Sequence, residues 1–256
     1  MNTVTDRGNH RMRGLRILLI VVVILGALFV VVDRVAVRFA EGEAADRLKA
    51  SENLASTPDV DIKGFPFLTQ VAGGSLDDVE VGIKEYDAAT GKAGQTIRVE
   101  DLKADMKGVE FSGDYSSATA ATATGTATVS YAELLKTAKS EPTEVAPGVT
   151  ARVVGLSYGG NGKIKVAVEG AVSSLGIERT VSVLSSVSVV DGRVEVHADS
   201  LPQLGAAVIA EDRIRTITDF RQAIDQLPGG IKLDKVEAAK DGVEISVKGS
   251  DVRLAG

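Results

Sequence analysis

Residues 60–81 read VDIKGFPFLTQVAGGSLDDVEV, and the fold turns on how this stretch is read. Val60 and Ile62 alternate with Asp59, Asp61 and Lys63, the period-two pattern of a strand with one buried face. Gly64 breaks the pattern. Leu68 and Val71 then follow Phe67 at i+1 and i+4. Pro66 suits the first turn of a helix, where its missing N–H is not needed. Gly73 and Gly74 end the helix, and Val79, Val81 and Ile83 resume the alternation. The stretch therefore predicts strand, one or two helical turns, and strand. Two of the six phenylalanines of the chain flank Pro66. Large aromatic side chains gain most from burial, so the helix is either a plug sealing one end of a β-structure or a plug at the mouth of an apolar cavity.

Outward from this stretch the chain is rich in strands. Alternating runs are expected at 78–86, 95–111, 117–129, 149–158, 163–172, 178–190, 193–199, 231–239 and 243–254. Asn161-Gly162 and Asp191-Gly192 lie between such runs, a strong short-range hairpin signal, and Thr90-Gly91 and Asp241-Gly242 mark further turns. Residues 117–128 read SATAATATGTAT, small side chains that either let something approach the sheet closely or mark a poorly packed edge strand. Two helices interrupt the strands. Ser130-Tyr131-Ala132-Glu133 has the spacing of a capping box. A second helix is expected at 213–227, where Ile217, Phe220, Ile224 and Leu227 form one apolar stripe and Pro228-Gly229-Gly230 stops it. A gapless similarity between Ile97–Phe111 and Ile231–Ile245 suggests equivalent strand pairs in the two halves.

Toward the N-terminus, Ile17–Val32 is an unbroken apolar run. At 1.5 Å per residue it covers ~24 Å, and Leu15 with the stem of Arg16 extends it toward the ~30 Å of a bilayer core. Arg7, Arg11, Arg13 and Arg16 precede it, which keeps residues 1–14 in the cytoplasm by the positive-inside rule. The expectation is a retained single-pass anchor over 15–32 in the cell membrane, with a cleaved signal as the alternative. Residues 33–56 then form an amphipathic helix, with Val37, Ala40, Ala44 and Leu48 on one face, and 57–256 a β-rich extracytoplasmic domain. The first 32 residues carry four Arg against Asp6, a net +3, so of the formal −6 the remainder holds −9. An acidic domain argues against nucleic acid as a partner. The chain has no Cys, which excludes disulfides and thiolate sites.

The run GFPFLTQVAGG (Gly64–Gly74), followed by its alternating strand, resembles the signature of the actinobacterial LmeA-like family of phospholipid-binding proteins. The resemblance extends more weakly from about Asp33 to Leu254, through VSYAELL (Val129–Leu135), IDQLPGGIKL (Ile224–Leu233) and GVEISVKGSDVRL (Gly242–Leu254). It implies a tubular lipid-binding fold, a phospholipid ligand and a place in the cell envelope, in support of lipoglycan or membrane assembly.

Gly155-Leu156-Ser157-Tyr158-Gly159 matches G-x-S-x-G, and Asp191 and His197 follow in the order of an α/β-hydrolase triad. A nucleophile elbow needs a helix after the serine, but Gly160-Asn161-Gly162 and the strand KIKVAVE follow instead, which reads as a hairpin. His197 is the one histidine beyond residue 32, so a His-based zinc site is not available. Scattered carboxylates such as Asp77-Asp78 lack EF-hand spacing. No catalytic residue, metal ligand or cofactor is assigned. The sequence thus leads to a mainly β domain with helices, a curved antiparallel sheet wrapped around helices, that binds phospholipid without catalysis. Phe65, Phe67, Leu68 and Val71 stand at the cavity mouth, and Ile217, Phe220, Ile224 and Leu227 along a wall. An envelope scaffold with the same fold but a filled core is the rival reading, and a serine hydrolase the third.

Overall fold

The computed structural model describes residues 8–89, 96–137, 141–172, 174–191, 193–199, 215, 218–223 and 230–255. It is mostly antiparallel β, with a curled half-barrel sheet, a few helices and one long N-terminal apolar helix. Helix α1 (Gly8–Ser51) runs without a break from the basic tail through the apolar run and beyond it. Strand β1 (Asp59–Lys63), the short helix α2 (Phe67–Ala72), β2 (Ser75–Ala89), β3 (Thr96–Phe111), β4 (Ala118–Ser130) and helix α3 (Tyr131–Thr137) follow. A meander of β5 (Thr143–Ala146), β6 (Val149–Gly160), β7 (Lys163–Val172), β8 (Ile177–Val190), β9 (Arg193–Ala198) and β10 (Phe220–Ala223) comes next. The hairpin β11 (Lys232–Ala238) and β12 (Gly242–Ala255) closes the chain.

These strands form two six-stranded sheets. The first has the order β1-β2-β3-β4-β12-β11 and the second β10-β9-β8-β7-β6-β5. The second sheet is thus inserted between β4 and the C-terminal hairpin that returns to pair with β4. Every pairing is antiparallel, as the tight turns demanded. The β6–β7 turn has Asn161 at φ 51° and Gly162 at φ 71°, the two positive values of a type I′ hairpin. Strand β11 packs against β8 and β7, and its Val236 and Ala238 join Val153, Ile164, Val166, Val168 and Val183 of the second sheet in one core. A second core lies at the other end of the first sheet. There Val37 of α1 and Phe67 of α2 meet Ile62, Leu76, Val109 and Ala120.

Four expectations change. The helix expected at 213–227 yields a strand over Phe220–Ala223, paired in register with Val196 to Arg193 of β9. One helical hydrogen bond, Asp219 N to Arg215 O at 2.8 Å, precedes it. The open backbone of β9 offers unpaired N–H and C=O groups, and satisfying that edge overrides the helical period of the apolar residues. Ile217, Ile224 and Leu227 lie outside the described residues, as does the Thr90-Gly91 turn. Second, β4 is a central strand between β3 and β12, not an edge. Third, the similarity of 97–111 to 231–245 is not structural. The first is one uninterrupted strand, whereas the second turns at Ala239, whose N–H donates to the Gly242 carbonyl. Fourth, Ala45 rather than Ala44 joins Val37 on the buried side of α1.

Candidate functional site

Helix α2 is set in place from α1. Pro66 is its N-cap, with extended φ and ψ of −78° and 137°, and has no side chain to cap the first turn. Asp33, fully buried on α1, takes that role: its Oδ1 accepts a hydrogen bond from the Leu68 N–H at 2.8 Å. Arg34 pairs with the other Asp33 oxygen at 2.5 Å and donates to the Gly64 carbonyl at 3.3 Å. Its guanidinium lies 5.2 Å from the centre of the Phe65 ring, a cation–π distance. Gly64 itself has φ 93°, and a Cβ there would fall 2.4 Å from Gln70 Nε2, so only glycine fits the approach to α2. The Gln70 carbonyl oxygen in turn accepts from the Asp77 N–H at the start of β2.

The four residues expected at the mouth therefore separate into roles. Phe67 is buried at 7% exposure and belongs to the core shared by α1 and the first sheet. Leu68 and Val71 pack against that core while remaining partly exposed. Phe65 points outward and is 56% exposed. Phe220, from the expected wall, starts the edge strand β10 of the other sheet. The structure thus brings Phe67, Leu68 and Val71 together and places Phe220 on a different sheet.

Sequence reasoning missed the feature that connects these elements. Register places Val60, Val81, Ala104, Gly125, Val247 and Leu233 as successive cross-strand partners through all six strands of the first sheet. Every one is apolar and half-buried. The next row on the same face, Ile62, Val79, Met106, Ala123 and Gly249, is apolar too and runs beneath α2. A third holds Ile83 and Leu102 and, on the far strands, Ala127, Ile245 and Val236. The intervening residues face the other way and are polar: Asp61, Glu80, Asp105, Thr124, Lys248 and Lys232 form one such row. Alternation of this kind leaves one face wet and one face apolar.

The ends of the apolar face pack into two cores, and its middle row is partly buried. Val60, Val79 and Met106 pack on the core of α1 and α2, and Leu233 and Ile245 on the core between the sheets. Val81, Ala104, Gly125 and Val247 belong to neither. Small residues make this middle. A Cβ at Gly125 would stand 2.9 Å from Val247 Cγ2 and 3.4 Å from the Lys103 carbonyl, so the side chains of this face converge. In β4 Ala123, Gly125 and Ala127 share the face of the row, and Thr122, Thr124 and Thr126 lie on the other.

A hollow of about 430 Å³ is lined by Asp59, Asp61, Glu80, Lys103, Asp105, Thr124 and Thr126 together with Val81, Gly82, Ala104 and Gly125. Ligand oxygens of Asp78, Glu80 and Asp105 lie within 4.8 Å of one another. Lys63 pairs with Glu80 at 3.4 Å and Lys107 with Asp105 at 3.7 Å, so the chain supplies its own cations to two of the three. Burial, with the neighbouring Asp105 charge, raises the Asp78 carboxyl above the ordinary value.

The residues of the serine-hydrolase pattern do not assemble. Ser157 sits in β6 opposite Lys165 of β7, which pairs with Leu184 of β8. His197 is on β9, so two strands intervene, a lateral separation of roughly 14 Å at ordinary strand spacing. His197 turns instead to Asp219, with Nδ1 2.8 Å from Oδ2. Asp219 also accepts from the Ala198 N–H at 3.0 Å and from Arg215 at 3.3 Å. Its burial opposes ionisation, but these donors outweigh it and hold the carboxyl below the ordinary carboxylate value.

A family model described as LmeA-like phospholipid-binding matches residues 31–248, from the end of the apolar run almost to the C-terminus. No curated protein and no solved structure matches the chain.

Proposed function

The chain belongs to the LmeA-like phospholipid-binding family, and from that premise we propose that it holds a phospholipid by its acyl chains along the inner face of the first sheet. The observation that carries this reading is the six-residue apolar row from Val60 to Leu233, covered at both ends and half-open between. Six strands ~4.8 Å apart give a row of roughly 24 Å, longer than the ~15 Å of hydrocarbon in one leaflet. Each methylene withdrawn from water contributes ~0.8 kcal/mol, so a chain lying along the row needs little help from headgroup contacts. That suits an acidic domain. Phe65, Phe67, Leu68 and Val71 close the end of the row next to α1.

In this reading residues 1–14 are a cytoplasmic tail and 15–32 a single membrane span. Residues 33–56 lead into an extracytoplasmic lipid-binding domain over 57–256. The helix Gly14–Ser51 supports the anchor, with a mean hydropathy of 3.2 over its most apolar window and none of that window buried in the protein. The protein works in the cell envelope as a non-catalytic lipid binder or carrier, in support of lipoglycan or membrane assembly.

Mass spectrometry of lipids extracted from the purified full chain tests the reading. The expected result is bound phospholipid in the wild type and its loss in Ala104→Phe, which fills the middle of the row, with the β-sheet circular dichroism unchanged. A wild type that carries no lipid and takes none from liposomes makes the protein a scaffold instead.

A further inference from the structure

The junction between the apolar run and the domain has no linker. Helix α1 continues past Val32 while its next residues are already packed into the domain, with Asp33 fully buried and Val37 and Ala45 nearly so. The domain is therefore fixed to the helix at the point where the apolar run ends. Asp33 and Arg34 bind the Gly64–Leu68 segment directly, through the Leu68 N–H, the Gly64 carbonyl and the Phe65 ring. That segment sits at the axial level of the first two residues beyond Val32, ~3 Å past the apolar run at 1.5 Å per residue.

The exposed groups at this level are the wrong ones for open water. Phe65 is 56% exposed beside a buried Phe67, and Val35 and Phe39 are 63% and 74% exposed on α1. The headgroup layer of a bilayer is ~5–8 Å thick on each side. Counted from Val32 at 1.5 Å per residue, the Phe65 level and Val35 fall inside it, at ~3 and ~4.5 Å, and Phe39 lies beyond it. An apolar ring beside an arginine, here Phe65 with Arg34, suits such a boundary layer.

We propose that Phe65, with Arg34 and Val35, is seated in the headgroup layer of the membrane that α1 spans, so that the α2 end of the first sheet faces that leaflet. This rests on the reading of residues 15–32 as a membrane span. A phospholipid reaching the row from that leaflet then enters past α2, the element that closes this end. The lipid is drawn from the membrane in which the protein itself is anchored.

Because the chain has no cysteine, single substitutions can be labelled uniquely in the full-length protein. Val23→Cys, Phe65→Cys and Leu175→Cys would each carry an environment-sensitive fluorophore. The labelled proteins would be reconstituted into phosphatidylcholine vesicles brominated on the acyl chains close to the headgroup. Leu175, 68% exposed on the β7–β8 turn, is the apolar control outside the proposed surface. The expected result is strong quenching at Val23 and at Phe65, several-fold above that at Leu175. Quenching at Val23 with Phe65 no different from Leu175 overturns the docking while leaving the anchor intact. No quenching at Val23 overturns the anchor and the docking with it.

Discussion

The two sheets have six strands each, yet they use their apolar faces in opposite ways. The second sheet is filled: Val153, Ile164, Val166, Val168 and Val183 pack against Val236 and Ala238 until almost no surface is left. The first sheet puts Ala104, Gly125 and Val247 where such residues would be, and leaves them half-buried with no core of their own. One face is packed for stability, and the other is the face proposed to take the lipid. The difference lies in what packs on each face, not in strand number or pairing.

The largest effect should come where the first sheet is sealed. Phe67→Ala removes a buried ring from the core that joins α1, α2 and the sheet. The cost should be ~3–5 kcal/mol, measured as a lowered denaturation midpoint of the full chain. A much smaller cost would mean that the α2 end is open rather than closed. A matched pair of smaller changes sharpens the comparison. Val168, 1% exposed, loses two methyls and leaves a cavity in Val168→Ala, a cost of roughly 2 kcal/mol with no loss of bound lipid. Val81→Ala, half-buried in the open row, should cost less than about 1 kcal/mol and reduce lipid retention. Equal stability costs with equal lipid would erase the distinction between the sheets.

Much of this was legible in the sequence because it is local. Period-two runs and the Asn161 turn set most of the strands, while the small residues of β4 left two readings open, of which the edge strand fails. The row from Val60 to Leu233 was not legible, since it depends on register across six strands drawn from both ends of the chain. Nor was the Asp33 cap, which reaches Leu68 over 35 positions to serve a helix whose own N-cap is a proline. The segment around Phe220 misled because its apolar spacing is helical, while the unpaired edge of β9 dictates a strand.

That edge strand gives a weaker, pH-dependent effect confined to the second sheet. Asp219 ties the approach to β10 onto β9 through Ala198, His197 and Arg215. Its carboxyl lies below the ordinary value of 3.8, so the folded state favours the ionised form. The stabilisation is present in full above that value and is lost as the pH falls through the depressed one. Hydrogen exchange in β10 should therefore rise on acidification below about pH 4, while the core strands β7 and β8 stay protected. Asp219→Asn should make β10 exchange rapidly at neutral pH and abolish the acid dependence. Exchange that is unchanged in the variant would detach Asp219 from the docking of β10.

The smallest expected effect is none at all, for Ser157→Ala. If chemistry resided in this protein, the second sheet would be its place, since Ser157 and His197 both lie there. Yet Ser157 continues from β6 into the type I′ turn at Asn161-Gly162 rather than into a helix. A strained strand-to-helix turn is what lifts a nucleophile clear of its sheet, and a hairpin does not provide it. His197 is committed to Asp219 across two intervening strands, which leaves Ser157 without a base. The variant should keep its denaturation midpoint and its bound phospholipid, and both forms should leave a short-chain ester intact. Ester hydrolysis by the wild type that disappears in Ser157→Ala would move the working site from the open first sheet to the filled second one.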